Sequence, residues 1–169
     1  MLTVERLKEL LNYDRETGVF TWRVRRGPSA LAGSVAGSIQ TGNLHNGGGY
    51  RKIRIDQIDY FAQRLAWFYV TGEWPKGQID HEDLERDHNW FSNLRDANHS
   101  QQKANQKVRT DSQSGIKGVR FHKGAKRWTA VVQCDGVQEY LGLFDSAEEA
   151  KAAHQKRSQE LFGQFARSE

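Results

Sequence analysis

The stretch "IDHEDLERDHNWFSNLRD" (Ile79–Asp96) decides how the first two-thirds of the chain is organised. It concentrates two histidines, two asparagines and a run of aspartates and glutamates in a segment with few residues to bury. Apolar Ile79 leads into Asp80–His81, which reads as the end of a short strand. Asn93 follows His81 by 12 residues and opens a second short strand, "NLRDA". Next comes "NHSQQKANQK", polar and of fair helix propensity, with Asn98 or Ser100 as a candidate N-cap. The stretch therefore predicts strand, connection, strand, helix.

Working outward, Val4, Leu7, Leu10 and Leu11 recur at helical spacing. A Gly18 turn then leads to a strand alternating Phe20 and Trp22 with polar neighbours. Residues 27–49 are rich in Gly, Ser and Asn and read as turns or loop, with His45 a loop residue. "YRKIRI" (Tyr50–Ile55) predicts a strand. "YFAQRLAWFYVTG" predicts a helix with Phe61, Leu65 and Phe68 on one face, stopped by Gly72. Trp67, Phe68 and Trp74 read as core.

The pattern changes beyond "VRTDSQSG", which has linker composition. "GVRFH", "RWTAVVQC" and "VQEYLGLF" are three strand-like runs, the last two joined by an Asp135–Gly136 hairpin turn. A closing helix opens on the capping pattern Ser146…Glu149, and Ala147, Ala150 and Ala153 give it a small-residue face. The expected organisation is two modules, 1–107 and 114–169, joined by a linker at 108–113.

Composition narrows the function classes. The 169 residues carry net charge +4 with a pI near 9.3, a mean hydropathy of −0.81 and 11% aromatics. That combination suits a folded protein with an anionic partner, nucleic acid first. From Lys103 to Arg127 there are eight basic residues (Lys103, Lys107, Arg109, Lys117, Arg120, Lys123, Lys126, Arg127) against the single acid Asp111. Cys134 is the one cysteine, so no disulfide framework and no structural zinc are expected. No apolar run reaches transmembrane length and the N-terminus reads as an amphipathic helix, so the expectation is a soluble, intracellular, cytoplasmic protein without membrane partners.

The chemistry of the opening stretch follows from its donors. A carboxylate holds a hard divalent cation, oxygen ligands and water complete its shell, and a neutral imidazole accepts a proton near pH 7. At this point "RLAWFYVTGEWPKGQIDHEDLERDHNWFSNLR" resembles the HNH endonucleases of the phage and intron-encoded homing type, and "LLNYDRETGVFTWRVRR" and "AGSVAGS" resemble the front end of such phage proteins. The resemblance implies an α+β fold with an N-terminal HNH ββα-metal region, its core about 78–107. It also implies His81 as general base, Asp80 as metal ligand, Asn93 as the residue orienting the base and Arg95 as a phosphate contact. The implied cofactor is one Mg²⁺ or Mn²⁺ ion. The family's last ligand position falls on Gln102, with His99 one turn earlier as the alternative. His88–Asn89 stands where the family usually has two asparagines, and Gln63 where it often has a histidine; His88–Asn89 and the acids between His81 and Asn93 read as connecting loop.

The C-terminal module resembles the apetala-two (ethylene-response-factor) DNA-binding domain, through Gly118-Val119-Arg120, Trp128 with Ala130, Leu141-Gly142-x-Phe144, Ala147-Glu148-Glu149-Ala150 and Gly163. That resemblance implies a three-stranded antiparallel sheet on one helix, with the sheet in the DNA major groove. Arg120, His122, Arg127, Trp128, Gln133 and Tyr140 are its DNA-facing candidates. The expected partner is double-stranded DNA, to be cut by a monomer or a homodimer. The rival expectation is a non-catalytic DNA-binding protein with a decayed HNH site. An RNA-binding module is weaker, since a major-groove sheet suits B-form DNA better than A-form RNA.

Overall fold

Thr3 starts the first helix by accepting a hydrogen bond from the Arg6 amide on its side chain, and α1 (Val4–Leu10) buries Leu7 and Leu10. Leu11 passes directly into β1 (Leu11–Tyr13), which pairs antiparallel with β2 (Phe20–Trp22), Tyr13 opposite Phe20. The connecting turn is tied by Asp14, whose Oδ1 accepts from the amides of Glu16 and Thr17. This computed structural model describes residues 1–40, 49–108 and 112–167. His45 and part of the expected Gly-rich loop and linker lie outside the described residues.

A second antiparallel sheet is ordered β3 (Ser38–Ile39), β4 (Arg51–Ile55), β5 (Ile58–Phe61). The strand β5 corrects the sequence reading, which ran a helix from Tyr60. Asp56 and Gln57 both take positive φ, +45° and +70°, making a two-residue hairpin turn without the glycine that usually signals one. Ile58–Phe61 therefore folds back on β4, and α2 (Ala62–Thr71) starts at Ala62, leaving Phe61 half exposed rather than on the helix's buried face. Gly72 ends α2 in the left-handed conformation, as expected.

Leu65, Ala66 and Phe68 of α2 pack with Leu7, Leu11, Phe20, Ile53 and Ile55, all buried, and Trp74 stacks on Phe68 with ring centroids 4.3 Å apart. Against this core stands a two-stranded sheet of β6 (Gln78–His81) and β7 (Leu94–Ala97), preceded by a 3₁₀ turn at Phe91–Asn93. Asp96 accepts from the amides of Lys76 and Gly77 at 3.0 and 2.8 Å, and Arg64 of α2 donates to Gly77 O, so the turn before β6 is held from two sides.

The chain divides into two compact units, Met1–Asp96 and Ala97–Glu169. In the second, α3 (His99–Asn105) is followed by a sheet ordered β10 (Val137–Phe144), β9 (Arg127–Cys134), β8 (Val119–His122), all antiparallel, then α4 (Ala147–Phe162) and a 3₁₀ turn at Gly163–Phe165. The Asp135–Gly136 hairpin turn and the Ser146 cap of α4 form as the sequence predicts. Ala150, His154, Ser158 and Phe162 recur every four residues as the buried face of α4. Gly118, at φ +67°, sits under this helix: a Cβ there would lie 2.3 Å from His154 Cδ2. The α+β class, a mixture of helices and several small antiparallel sheets, matches the sequence expectation. Among the described residues no helix is long and apolar enough to cross a membrane.

Candidate active site

His81 ends β6 with its side chain only 4% exposed. Its Nε2 lies 3.0 Å from Asn89 Oδ1, and Asn89 Nδ2 donates to Asp87 O at 3.2 Å. The second bond orients the amide so that its oxygen faces the ring. An amide oxygen only accepts, so Nε2 carries the proton and Nδ1 the lone pair. Burial is the main influence on the ring and lowers its pKa from the ordinary 6.5, against the raising effect of the Asn89 bond. Burial thus favours the neutral ring, and the Asn89 bond favours the tautomer with the proton on Nε2.

Asn89 was missed as a site residue, because the sequence reading treated His88–Asn89 as connecting loop. Asn93 does a different job from the one expected of it. Its Oδ1 accepts from the Asp83 amide at 3.1 Å, and its Nδ2 donates to Asp83 Oδ1 and His88 O at 3.0 and 2.8 Å. Asn93 thus closes the base of the 82–92 connection, while Asn89 supplies the hydrogen bond to the ring.

That connection is fastened along its length. Arg51 of β4 grips Asp87 with Nε and Nη2, each 3.1 Å from a carboxylate oxygen, the bidentate geometry that adds direction to charge. Tyr13 Oη donates to Asn89 O at 2.6 Å, and burial raises its pKa. Phe91 N donates to Arg15 O at 3.0 Å. Gly18, at φ +74°, lets the β1–β2 turn close on the same place: a Cβ there would lie 2.3 Å from the carbonyl carbon of Asn89 and from the Trp90 nitrogen. His88 is half exposed, with Nδ1 2.6 Å from Asp83 Oδ2 and its ring 4.5 Å from that of Trp90. Burial pushes the Asp83 carboxyl up, but the bonds from His88, the Glu85 amide and Asn93 outweigh it and hold the pKa below normal.

Asp80 and Arg95 face each other across β6 and β7, Oδ2 to Nη2 at 2.7 Å, with both side chains under 10% exposed. Arg95 was expected against a phosphate; instead it is buried on the candidate metal ligand, with Glu82 4.0 Å away. The pairing has a physical reason: an isolated carboxylate is expensive to bury, and a cross-strand guanidinium offsets that cost. Gln63 is buried on α2, its Oε1 without a hydrogen-bond partner among the described residues. His99 and Gln102 stand on α3, three residues apart and so on neighbouring turns of one face, within the second unit.

Among the described residues no group of three or more His, Cys, Asp or Glu side chains gathers as a cation cage. The Asp80 carboxylate is an oxygen donor of the kind a hard divalent cation takes.

On the sheet of the second unit, alternation sorts the candidates. Arg120 lies opposite Thr129, His122 opposite Arg127, Gln133 opposite Gln138 and Tyr140 opposite Val131, so these five candidates share the face away from α4. Arg120, His122, Gln133 and Tyr140 are exposed, and Arg127 pairs with Asp145 at 2.8 Å. Trp128 does not join them. It shares the inner face with Ala130 and packs with Phe121, Phe144 and the cluster of Val119, Ala130 and Ala150.

Comparison with known proteins bears on the same part of the chain. Residues 60–104 match the family described as HNH endonuclease. The chain is 33% identical to Protein 3.8 of Escherichia phage T7 over 103 residues, 60% of this chain and 84% of that protein. The chain carries an HNH endonuclease domain and is a relative of phage T7 Protein 3.8. The HNH match runs from Tyr60 to Ala104, so the domain sits mid-chain rather than at the N-terminus as expected, and it includes β6, β7 and most of α3. HNH nucleases as a family act on nucleic acid and usually use a divalent metal. No solved structure matches the chain.

Proposed function

We propose that the protein is a metal-dependent DNA endonuclease that hydrolyses phosphodiester bonds with His81 as general base. The observation that carries this reading is the His81 ring: buried, neutral, and held by Asn89 with the proton on Nε2. Nδ1 takes the proton of the attacking water as its oxygen bonds to phosphorus; the P–O3′ bond breaks and the leaving 3′ oxygen takes a proton from solvent water. Asn89 keeps Nε2–H satisfied so that the ring gains charge without turning. Asp80 would hold the divalent ion, which when bound would supply positive charge against the scissile phosphate; Gln102 and His99 are the candidates for a further ligand that the family resemblance implies. Arg95, with Nη2 2.7 Å from Asp80 Oδ2, fixes the direction of the Asp80 carboxylate. The expected ends are 5′-phosphate and 3′-hydroxyl.

The face of the second unit's sheet carrying Arg120, His122, Arg127, Gln133 and Tyr140 is proposed to hold the duplex, in the manner of the apetala-two-like domains this segment resembles. Its exposed arginine and aromatic side chains suit phosphate and base edges. The protein is proposed to work inside a cell, on phage or host DNA. The rival reading, a DNA-binding protein with a decayed nuclease site, draws support from Gln102 at the last ligand position and from the engagement of Asp80 by Arg95.

The test is a duplex oligonucleotide incubated with Mg²⁺ or Mn²⁺. Nicks that DNA ligase reseals support hydrolysis with the stated ends, and Arg120→Ala should weaken duplex binding. Retarded but uncut DNA across both metals would favour the rival.

A further inference from the structure

Helix α3 carries both candidates for the last metal ligand, His99 and Gln102, yet it is seven residues long. A helix that short is unstable alone in water, so whatever holds it decides where those side chains point. Part of the hold is local: Asn98 Oδ1 accepts from the Gln101 amide at 2.8 Å while the Asn98 amide donates to Gln101 Oε1 at 2.9 Å, a complete capping box.

The rest comes from residues beyond the HNH match. At the first turn, Ser100 Oγ donates to Asp135 Oδ1 at 2.8 Å and accepts from the Asp135 amide at 2.9 Å, which ties α3 to the β9–β10 hairpin turn. In the middle, Ala104 is buried with Val132, Phe162 and Phe165. At the last turn, Lys117 Nζ donates to three backbone carbonyls: Lys103 O at 3.1 Å, Gln106 O at 2.9 Å, and Ala104 O. An ammonium has three protons, and here each has a carbonyl. They lie at the negative end of the helix dipole, where Lys103 O also accepts from the Gln106 amide and Ala104 O from the Arg167 amide. Burial works against the charge and brings the Lys117 pKa down to about 8, so the three acceptors are what keep a partly buried cation there.

We infer that the C-terminal fold has a second role beside presenting its sheet: it braces α3 at both ends, with Lys117 as the positioning residue that sets where His99 and Gln102 stand. The metal half of this inference rests on the nuclease reading above; the brace itself does not.

Hydrogen–deuterium exchange on the full chain separates the two. In Lys117→Met, the amides of the last turn of α3 should exchange about tenfold faster, the scale of a lost charged cap, while β9 and β10 keep their protection. Lys117→Arg should restore slow exchange. Ser100→Ala should speed exchange in the first turn instead, and serves if the methionine variant folds poorly. Mn²⁺ binding, followed by electron paramagnetic resonance, should weaken several-fold in Lys117→Met with duplex retardation unchanged. Unaltered α3 exchange in both Lys117→Met and Ser100→Ala would overturn the brace. Faster exchange with unaltered Mn²⁺ binding would overturn the positioning role. Faster exchange in a protein whose wild type leaves DNA intact would keep the brace and sink the nuclease reading.

Discussion

A histidine serves as base only if it is neutral and its lone pair sits on the right nitrogen, and at His81 the second condition depends on a neighbour eight residues away. Asn89→Ala removes the acceptor for Nε2–H, which releases the tautomer; plasmid nicking should fall by about 10- to 100-fold with duplex affinity kept, the scale of lost support around a reacting group. Asn89→Asp is more telling. A carboxylate at Nε2 stabilises the imidazolium and raises the lowered His81 pKa, so the acid limb of the pH–rate profile should move to higher pH. An unmoved limb would remove Asn89 from the mechanism. The stability sign runs with the same group. His81 and His154 are both held below 6.5 by burial, so the unfolded chain takes up protons that the folded one refuses. Their contribution is present above about pH 6.5 and is lost as pH falls through the folded values. At this scale the placement of Asp80 and His81 at a strand end was legible, because apolar Ile79 leads straight into them. Asn89 and Arg95 were not, because an asparagine in a polar run and an arginine among basic neighbours look like surface until the fold shows what they touch.

The β1–β2 hairpin lies far from His81 in sequence but sets the loop behind it. Tyr13 donates to Asn89 O, and the Gly18 turn leaves no room for a side chain against the Asn89 carbonyl carbon. Gly18→Ala should therefore cost about 1–2 kcal/mol from the left-handed backbone alone, and more from the clash. Its nicking rate should drop further than its denaturation midpoint explains, since Asn89 moves with the turn. Urea denaturation beside a nicking assay checks both, and wild-type values in each would remove the hairpin from the site. Helices and glycine turns were read well from spacing, as at Leu7, Gly72 and Gly136. The hairpin at Asp56–Gln57 escaped because no glycine marks it, and Tyr60–Phe61 looks as helical as the Ala62–Thr71 run after it. Trp128 escaped for a related reason. A resemblance assigned it to the DNA face, whereas strand alternation and its contacts with Phe121 and Phe144 put it on the inner one.

Across the whole molecule, the HNH match ends inside a helix whose supports lie in the C-terminal residues from Lys117 to Phe165. The three-strand-and-helix plan of the second unit was legible from its alternating runs and capping pattern. The allegiance of α3 was not, since its polar composition hides the buried Ala104 and the Lys117 cap. A strand-end base, a single buried carboxylate and an exposed basic sheet face together make the proposed DNA-cutting protein. That claim is tested most directly by supercoiled plasmid incubated with wild type and with His81→Ala, each with Mg²⁺, Mn²⁺ or EDTA. Wild type with metal should give relaxed or linear plasmid and wild type with EDTA none, while His81→Ala should lose at least about 100-fold in rate with plasmid binding retained. Equal cutting by the two proteins, or plasmid left intact by wild type in both metals, would contradict it.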